Sequence, residues 1–240
     1  PLLTQIDTRA CPQLTNLDAR LKELDWPLLN KFRNYPSRVI GSGDRGQNDG
    51  EFNKPWSACF DEASQRLAVS EYDNHRVQIL DTLHSYESRG MIGQGNGSEA
   101  GQLLNPRGVC LQATTHHLVV CDGGNHRIQL FSMDDYKFVL QFGSRGREPG
   151  QFDFPFGVAS ASSGSLVVVD KDNHSVQIFD SLGHFVRRFG QQGNRPHELK
   201  GPRCVCIDSY GRYLIADRDN KRICVWSSDG SQCIRTLPVG

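Results

Sequence analysis

The residue types in this chain that could do chemistry recur at a nearly fixed interval. Glu71, Asp122, Asp170 and Asp217 each stand three residues before an asparagine, and those asparagines, Asn74, Asn125, Asn173 and Asn220, are 51, 48 and 47 residues apart. A histidine follows at His75, His126 and His174, replaced by Lys221 in the fourth copy, and an arginine comes next at Arg76, Arg127 and Arg222. A carboxylate, an amide, an imidazole and a guanidinium would suit acid–base or metal chemistry if they met at one centre. Repetition argues against it, because equivalent residues of successive repeats are spread along the array. The three histidines are therefore read as turn residues, and no metal site is assigned to them. The carboxylates are expected to accept hydrogen bonds from backbone N–H groups or from the following arginine. The asparagines are expected to hold their own turns, their side chains bonding the local backbone.

Other strings with chemical precedent fail on context. Gly41-Ser-Gly43-Asp-Arg-Gly46 satisfies the glycine pattern of a dinucleotide site, but the next residues, QNDGEFNKP, are turn formers. No helix N-terminus is then available to hold a pyrophosphate, and the same loop recurs as GSRGREPGQF. The triplets at Asn96 and Asn173 match the N-glycosylation pattern, yet Asn173 is one of the repeated asparagines and is explained by the turn. Cys204 and Cys206 face one way in a strand, but no second close pair completes a zinc set. Cys59, Cys110 and Cys206 share one repeat position, where the third copy has Ala159, and are expected to be packed, reduced thiols, as is Cys121. Free thiols place the chain in a reducing, cytoplasmic compartment. No cofactor and no catalytic residue is assigned.

The elements that position these residues follow from the rest of each repeat. A proline opens every copy, at Pro55, Pro106, Pro155 and Pro202, with spacings of 51, 49 and 47. In the third copy, PFGVASASSGSLVVVDKDNHSVQIFDSLGHFVRRFG, four runs rich in Val, Ile and Phe are separated by Gly, Ser, Asp and Asn. Gly183 and Gly230 fall where a tight hairpin between the third and fourth runs needs positive φ. Four short antiparallel strands per repeat describe a propeller blade, whose sheets stack around an axis. The fold class expected is all-β, a β-propeller of four-stranded antiparallel blades.

The pattern G-x-F-x-x-P-x-G-V, then an apolar strand ending in Asp, then x-x-N-H-R-I-Q-x-F, resembles the NHL repeat family. The likeness runs over residues 38–240 and is strongest in GQFDFPFGVAS with KDNHSVQIFD. It divides the propeller into blades at about 38–90, 91–141, 142–188 and 189–240. The family usually has six blades, so two readings stay open: a small closed ring, or part of a larger propeller. The first 37 residues differ. Leu14, Leu17, Leu21, Leu24 and Leu28, behind Thr15 and Asp18, predict a short helix near 15–25 that Pro27 limits. It is read as docked on the propeller, or as the tail of the coiled coil that tripartite-motif members carry upstream. Since the sequence begins at Pro1 rather than Met, it is read as a segment of a longer protein.

Binding residues are sought where equivalent positions carry unlike side chains. One row follows the prolines: Trp56, Arg107, Phe156 and Arg203. A second lies in the turn after the carboxylates: Tyr72, Gly123, Lys171 and Arg218. In a propeller both rows open on one face, giving Trp56, Tyr72, Arg107, Phe156, Lys171, Arg203 and Arg218 as candidates, with Arg145, Arg147, Arg195 and Lys200 in neighbouring loops. Cations neutralise phosphates and aromatic planes stack bases, so single-stranded RNA is the leading ligand. The resemblance points the same way, since NHL propellers of the tripartite-motif type bind short RNA elements there and others bind proteins. A protein partner, or substrate recruitment in a ubiquitin-ligase-type protein, is the alternative, and a propeller hydrolase or lyase the third. A neutral chain can still carry a basic face, but a formal net charge of zero, with Glu71, Asp73, Glu148 and Glu198 diluting the patch, does not show the basic footprint usual for a nucleic-acid module, and no apolar run is long enough to span a bilayer.

Overall fold

Valine, isoleucine, leucine and phenylalanine favour the half-buried pleated surface of a sheet, and in the computed structural model their short runs form sixteen strands in four antiparallel sheets. The structure describes residues 40–41, 45–84, 86–93 and 95–239. The expected helical leader over 1–37 lies outside them. The first blade holds β1 (Pro55–Asp61), β2 (Arg66–Glu71), β3 (Arg76–Asp81) and β4 (Ser88–Ile92). The second holds β5 (Val109–Leu111), β6 (His117–Asp122), β7 (Arg127–Ser132) and β8 (Phe138–Phe142). The third holds β9 (Pro155–Ser160), β10 (Leu166–Asp170), β11 (Ser175–Phe179) and β12 (Phe185–Phe189). The fourth holds β13 (Pro202–Ile207), β14 (Tyr213–Asp217), β15 (Arg222–Trp226) and β16 (Cys233–Pro238). Strands in every sheet lie in chain order, the meander of a propeller blade. Gly183 and Gly230 take φ of 86° and 69° in the last hairpins of blades three and four, as their turns require.

The core lies between blades. One cluster joins Ile79 and Ile92 of the first blade to Val109, Leu118 and Val120 of the second. Another joins Val119 and Leu130 to Val158, Leu166 and Phe179, and a third joins Val167 and Ile178 to Val205, Ile215 and Trp226. Backbone approach at the inner strands is close. A Cβ on Gly108 would lie 2.7 Å from the Phe156 carbonyl oxygen, and one on Gly157 would lie 2.5 Å from that of Arg203. The inner strands stack at these two positions because neither carries a side chain.

This stacking corrects the expectation for the cysteines. Cys59 packs against the cluster between blades one and two, and Cys110 against the next, each half-buried. Cys206 is exposed, as is Cys204, which stands where Gly108 and Gly157 stand. The equivalent of Cys206 is covered in each of the first three blades by the blade that follows, and among the described residues nothing follows the fourth. The first blade mirrors this: Ala58 is exposed where Val109, Val158 and Val205 are buried, and Phe60 is 45% exposed. Cys121 is fully buried, as expected.

Candidate functional site

The repeated polar residues form one network per blade. Because facing residues on adjacent strands project from the same side of a sheet, the last residue of the second strand meets the first of the third: Glu71 pairs with Arg76, Asp122 with Arg127 and Asp217 with Arg222. The arginine Nε donates to the carboxylate at 2.6, 2.8 and 2.8 Å. Backbone N–H groups of Asn53, Leu104, Asp153 and Lys200 donate to the four carboxylates. The carboxylates therefore have the architectural role expected of them.

The asparagines do something different from what was expected. Among the described residues their side chains bond the carboxylate that opens the turn and a distant loop, not the local backbone. Asn74, Asn125, Asn173 and Asn220 each donate through Nδ2 to the blade's carboxylate, at 2.7–2.9 Å. Each also donates to a loop carbonyl 27 or 28 residues upstream, Gly46, Gly97, Gly146 and Gly193, at 2.8 Å. They pin the entry loop to the turn. The loop over Arg45–Phe52 is this element, closed by a parallel bridge, so the glycine pattern at 41–46 leads into no helix; residues 42–44 of it lie outside the described set. His75, His126 and His174 hold the left-handed conformation at φ of 52°, 55° and 53°. His75 Nδ1 accepts from the Asn105 N–H and His174 Nδ1 from the Gly201 N–H, both at 3.0 Å, so these two histidines tie their turns to the next blade, whereas His126 Nδ1 is buried without such a partner. Among the described residues no group of three or more His, Cys, Asp or Glu could hold a metal.

The same loops and turns present the variable rows. Backbone bonds from Tyr72 N–H to the Lys54 carbonyl and from Lys171 N–H to the Phe154 carbonyl hold the two rows side by side. Arg107 is their centre. Its guanidinium carbon lies 4.0 Å from the ring centroids of both Trp56 and Tyr72, 4.9 Å from Phe156 and 5.2 Å from Phe154. Arg203 lies over the same Phe156 ring at 4.8 Å, and Trp56 meets Phe156 edge to face at 5.4 Å. Gly123 makes room: a Cβ there would sit 3.2 Å from both the Arg107 side chain and the Phe154 ring.

Charge divides this surface. Lys54, Lys171 and Arg218 are paired to Asp73, Asp172 and Asp219 at 2.8, 2.6 and 3.0 Å. Among the described residues Arg107 and Arg203 have no carboxylate within ion-pair distance, and the Nε of each is buried without a partner. Burial, with the adjacent Arg203 charge, holds the Arg107 guanidinium below its ordinary pKa. Burial and Arg218 do the same to Arg203. Trp56 is 44% exposed beside them.

Trp56, Tyr72, Arg107, Phe156, Lys171 and Arg203 thus stand together, with Arg218 at the edge through its effect on Arg203. Phe154 and Lys54 belong with them and were missed. They occupy the position before each proline, where Lys54, Asn105, Phe154 and Gly201 are as unlike as the rows that were chosen, and all four take positive φ. Arg147 and Arg195 act in the framework through their carbonyls, which accept from Arg188 and Arg222.

The NHL repeat matches residues 52–80, 103–131 and 152–179. This chain carries three NHL repeats. Its fourth repeat lies outside the matched residues and is the one with Lys221 and Cys224 in place of His and Gln, yet it builds the same four-stranded sheet. "Protein brain tumor" of Drosophila melanogaster is 35% identical over 91 residues, 37% of this chain and 9% of that protein. "E3 ubiquitin-protein ligase NHLRC1" of Homo sapiens is 30% identical over 83 residues, 35% of this chain and 21% of that protein. The matched segments thus span about a tenth and a fifth of these relatives. Among solved structures, a streptogramin B lyase superposes with a TM-score of 0.60 at 11% identity, over 78% of this chain and 55% of that one, a likeness of fold.

The third NHL repeat departs from the others at one framework position. Ser175 replaces the arginine and pairs with Asp170 across β10 and β11. With no guanidinium opposite, burial pushes the Asp170 carboxyl up to about 6.

Proposed function

We propose that this NHL propeller is a non-catalytic binding platform that takes single-stranded RNA on the face formed by Trp56, Tyr72, Arg107, Phe154, Phe156 and Arg203. The observation that supports this reading most is the contrast in charge pairing. The cations around the rim are neutralised by neighbouring aspartates, whereas Arg107 and Arg203 flank one phenylalanine ring without a carboxylate. Unpaired guanidinium groups beside a half-exposed indole suit a chain of phosphates and unstacked bases. Lys171 and Arg218 would lie along its path. Seven free cysteines among the described residues suit a reducing compartment, and we place the protein in the cytoplasm.

Titration of the protein with pooled single-stranded RNA at low salt, followed by tryptophan emission, tests the reading. Quenching that is lost in Trp56→Ala, with affinity lowered by about 1–3 kcal/mol for a stacked base, supports it. The absence of any RNA affinity at low salt removes it. One observation favours a second reading. The alternating ion pairs Lys54–Asp73, Lys171–Asp172 and Arg218–Asp219 give the rim mixed charge, which suits a protein surface better than a polyanion. The similarity to a protein named as an E3 ubiquitin-protein ligase supports the same alternative, with the face recruiting a protein substrate.

A further inference from the structure

Blades one, two and four supply an internal standard for the different arrangement found in blade three. In blades one, two and four the arginine opposite the carboxylate spans a set of oxygens. Its Nε meets the carboxylate, and its Nη2 donates to two loop carbonyls: Asn48 and Glu51 at 3.1 and 3.2 Å, Glu99 and Gln102 at 2.9 Å each, Arg195 and Glu198 at 2.7 and 2.6 Å. The equivalent oxygens in blade three are Asp170 Oδ2 and the carbonyls of Glu148 and Gln151. The loop that carries them is pinned as elsewhere, by Asn173 Nδ2 to the Gly146 carbonyl at 2.8 Å and by the Arg145–Phe152 bridge.

Ser175 cannot span this set. Its Oγ is fully buried and has no hydrogen-bond partner, although the side chain stands directly opposite Asp170. Arg188 of β12 replaces only one of the missing bonds, its Nη1 donating to the Arg147 carbonyl at 2.6 Å. Among the described residues neither a hydrogen bond nor an ion pair joins Arg188 to Asp170. Asp170, Glu148 and Gln151 therefore each receive one donor fewer than their counterparts, and a fully buried carboxylate lacks the positive charge that its three equivalents have.

We propose that the third blade binds a monovalent cation, potassium by size and charge, through Asp170 Oδ2, Ser175 Oγ and the carbonyl oxygens of Glu148 and Gln151. The ligands are all oxygens, as hard cations require. The charge balance is that of the guanidinium replaced: one positive charge beside one carboxylate. In the other three blades the equivalent loop carbonyls stand 2.6–3.2 Å from the arginine nitrogen that they meet, beyond the 2.0–2.1 Å that magnesium demands and mostly beyond the 2.3–2.6 Å of calcium. A large, weakly hydrated ion meets the spacing without drawing the loop inward.

The test is the melting temperature of the protein in potassium chloride against tetramethylammonium chloride at equal ionic strength, the second cation being too large to enter. Binding to the folded state alone should raise Tm by about 3 °C at ten times the dissociation constant and then continue logarithmically. Ser175→Arg, which writes the sequence of the other blades into this one, should remove the difference while keeping the protein at least as stable. A rubidium anomalous peak between Asp170 and Ser175 in crystals would place the ion directly. Equal Tm in the two salts for the parent protein overturns the proposal, and so does a potassium effect that survives Ser175→Arg.

Discussion

Arg188 donates its Nη1–H to the carbonyl of Arg147 at 2.6 Å, making from the fourth strand of blade three the bond that Arg76, Arg127 and Arg222 make from the third strand of the other blades, to Gln47, Ser98 and Asn194. The donor has changed strand while the acceptor has kept its place. Arg188 stands opposite Gln177, where Gln141 and Met91 stand in blades two and one. Arg188→Ala should destabilise the propeller by about 1–2 kcal/mol, the scale of a hydrogen bond with a charged donor. Ser175→Arg in that background should restore the loss, since it returns the donor to the third strand. Urea denaturation of the single and double variants measures both.

Asn125 holds two elements at once, the Asp122 carboxylate and the Gly97 carbonyl 28 residues upstream. Asn125→Ala should cost about 1–3 kcal/mol, because it leaves a buried carboxylate short of a donor as well as removing bonds. Hydrogen exchange should show the loss spreading to the entry loop around Gly97. Protection lost only in the turn at 123–126 would contradict the staple role.

The contact between the first two blades is acid-sensitive. Asp61 accepts from His116 Nε2 at 2.8 Å and from Ser64 Oγ, and although burial works against its charge, these bonds hold its carboxyl below the usual value of 3.8. A carboxylate with a depressed folded pKa contributes stability that is present above its unfolded pKa and lost as pH falls through the folded one. The stability difference between the parent and Asp61→Asn should therefore be fully present at about pH 5 and shrink below about pH 4. Thermal melts between pH 2.5 and 6 give the profile; a difference that grows toward low pH would contradict it.

Thiol labelling should rank the cysteines by their place in the stack. Cys204 and Cys206 are exposed on the uncovered side of β13, while Cys121 and Cys224 are buried. Burial also pushes the Cys59 thiol up to about 12, which lowers its thiolate fraction further. With a maleimide at pH 8, mass spectrometry should find Cys204 and Cys206 modified first and Cys121 last. Modification of Cys59 ahead of Cys206 would contradict the blade order.

The strands and the repeated carboxylates were legible in the sequence because one pattern occurs four times, and repetition separates what the frame needs from what varies. The partner of each asparagine was not, since a bond to a carbonyl 27 or 28 residues away leaves no mark at Gly46 or Gly97 that distinguishes it from any loop glycine. Cys206 was misplaced for a related reason: a repeat position is buried only if a neighbouring blade covers it, and alignment compares residues within blades, not the contacts between them. The side chains that cluster around Arg107 were picked out as unlike residues at equivalent positions, and the same comparison applied one residue earlier would have added Phe154 to the cluster. That Arg107 is enclosed by four aromatic rings depends on Gly123 leaving space, a relation between two rows rather than within one.

The central claim is that the unpaired arginines of this face contact a nucleic-acid backbone. Its most direct test is the salt dependence of single-stranded RNA binding by the parent protein, by Arg107→Ala/Arg203→Ala, and by Arg218→Ala, whose arginine is already paired with Asp219. We predict an intact fold, weaker binding and a slope of log K against log salt reduced by about 1.4 in the double variant, two contacts at roughly 0.7 each for single strands, with a smaller change in Arg218→Ala. Unchanged affinity and slope in the double variant would contradict the claim and turn this face over to a protein partner.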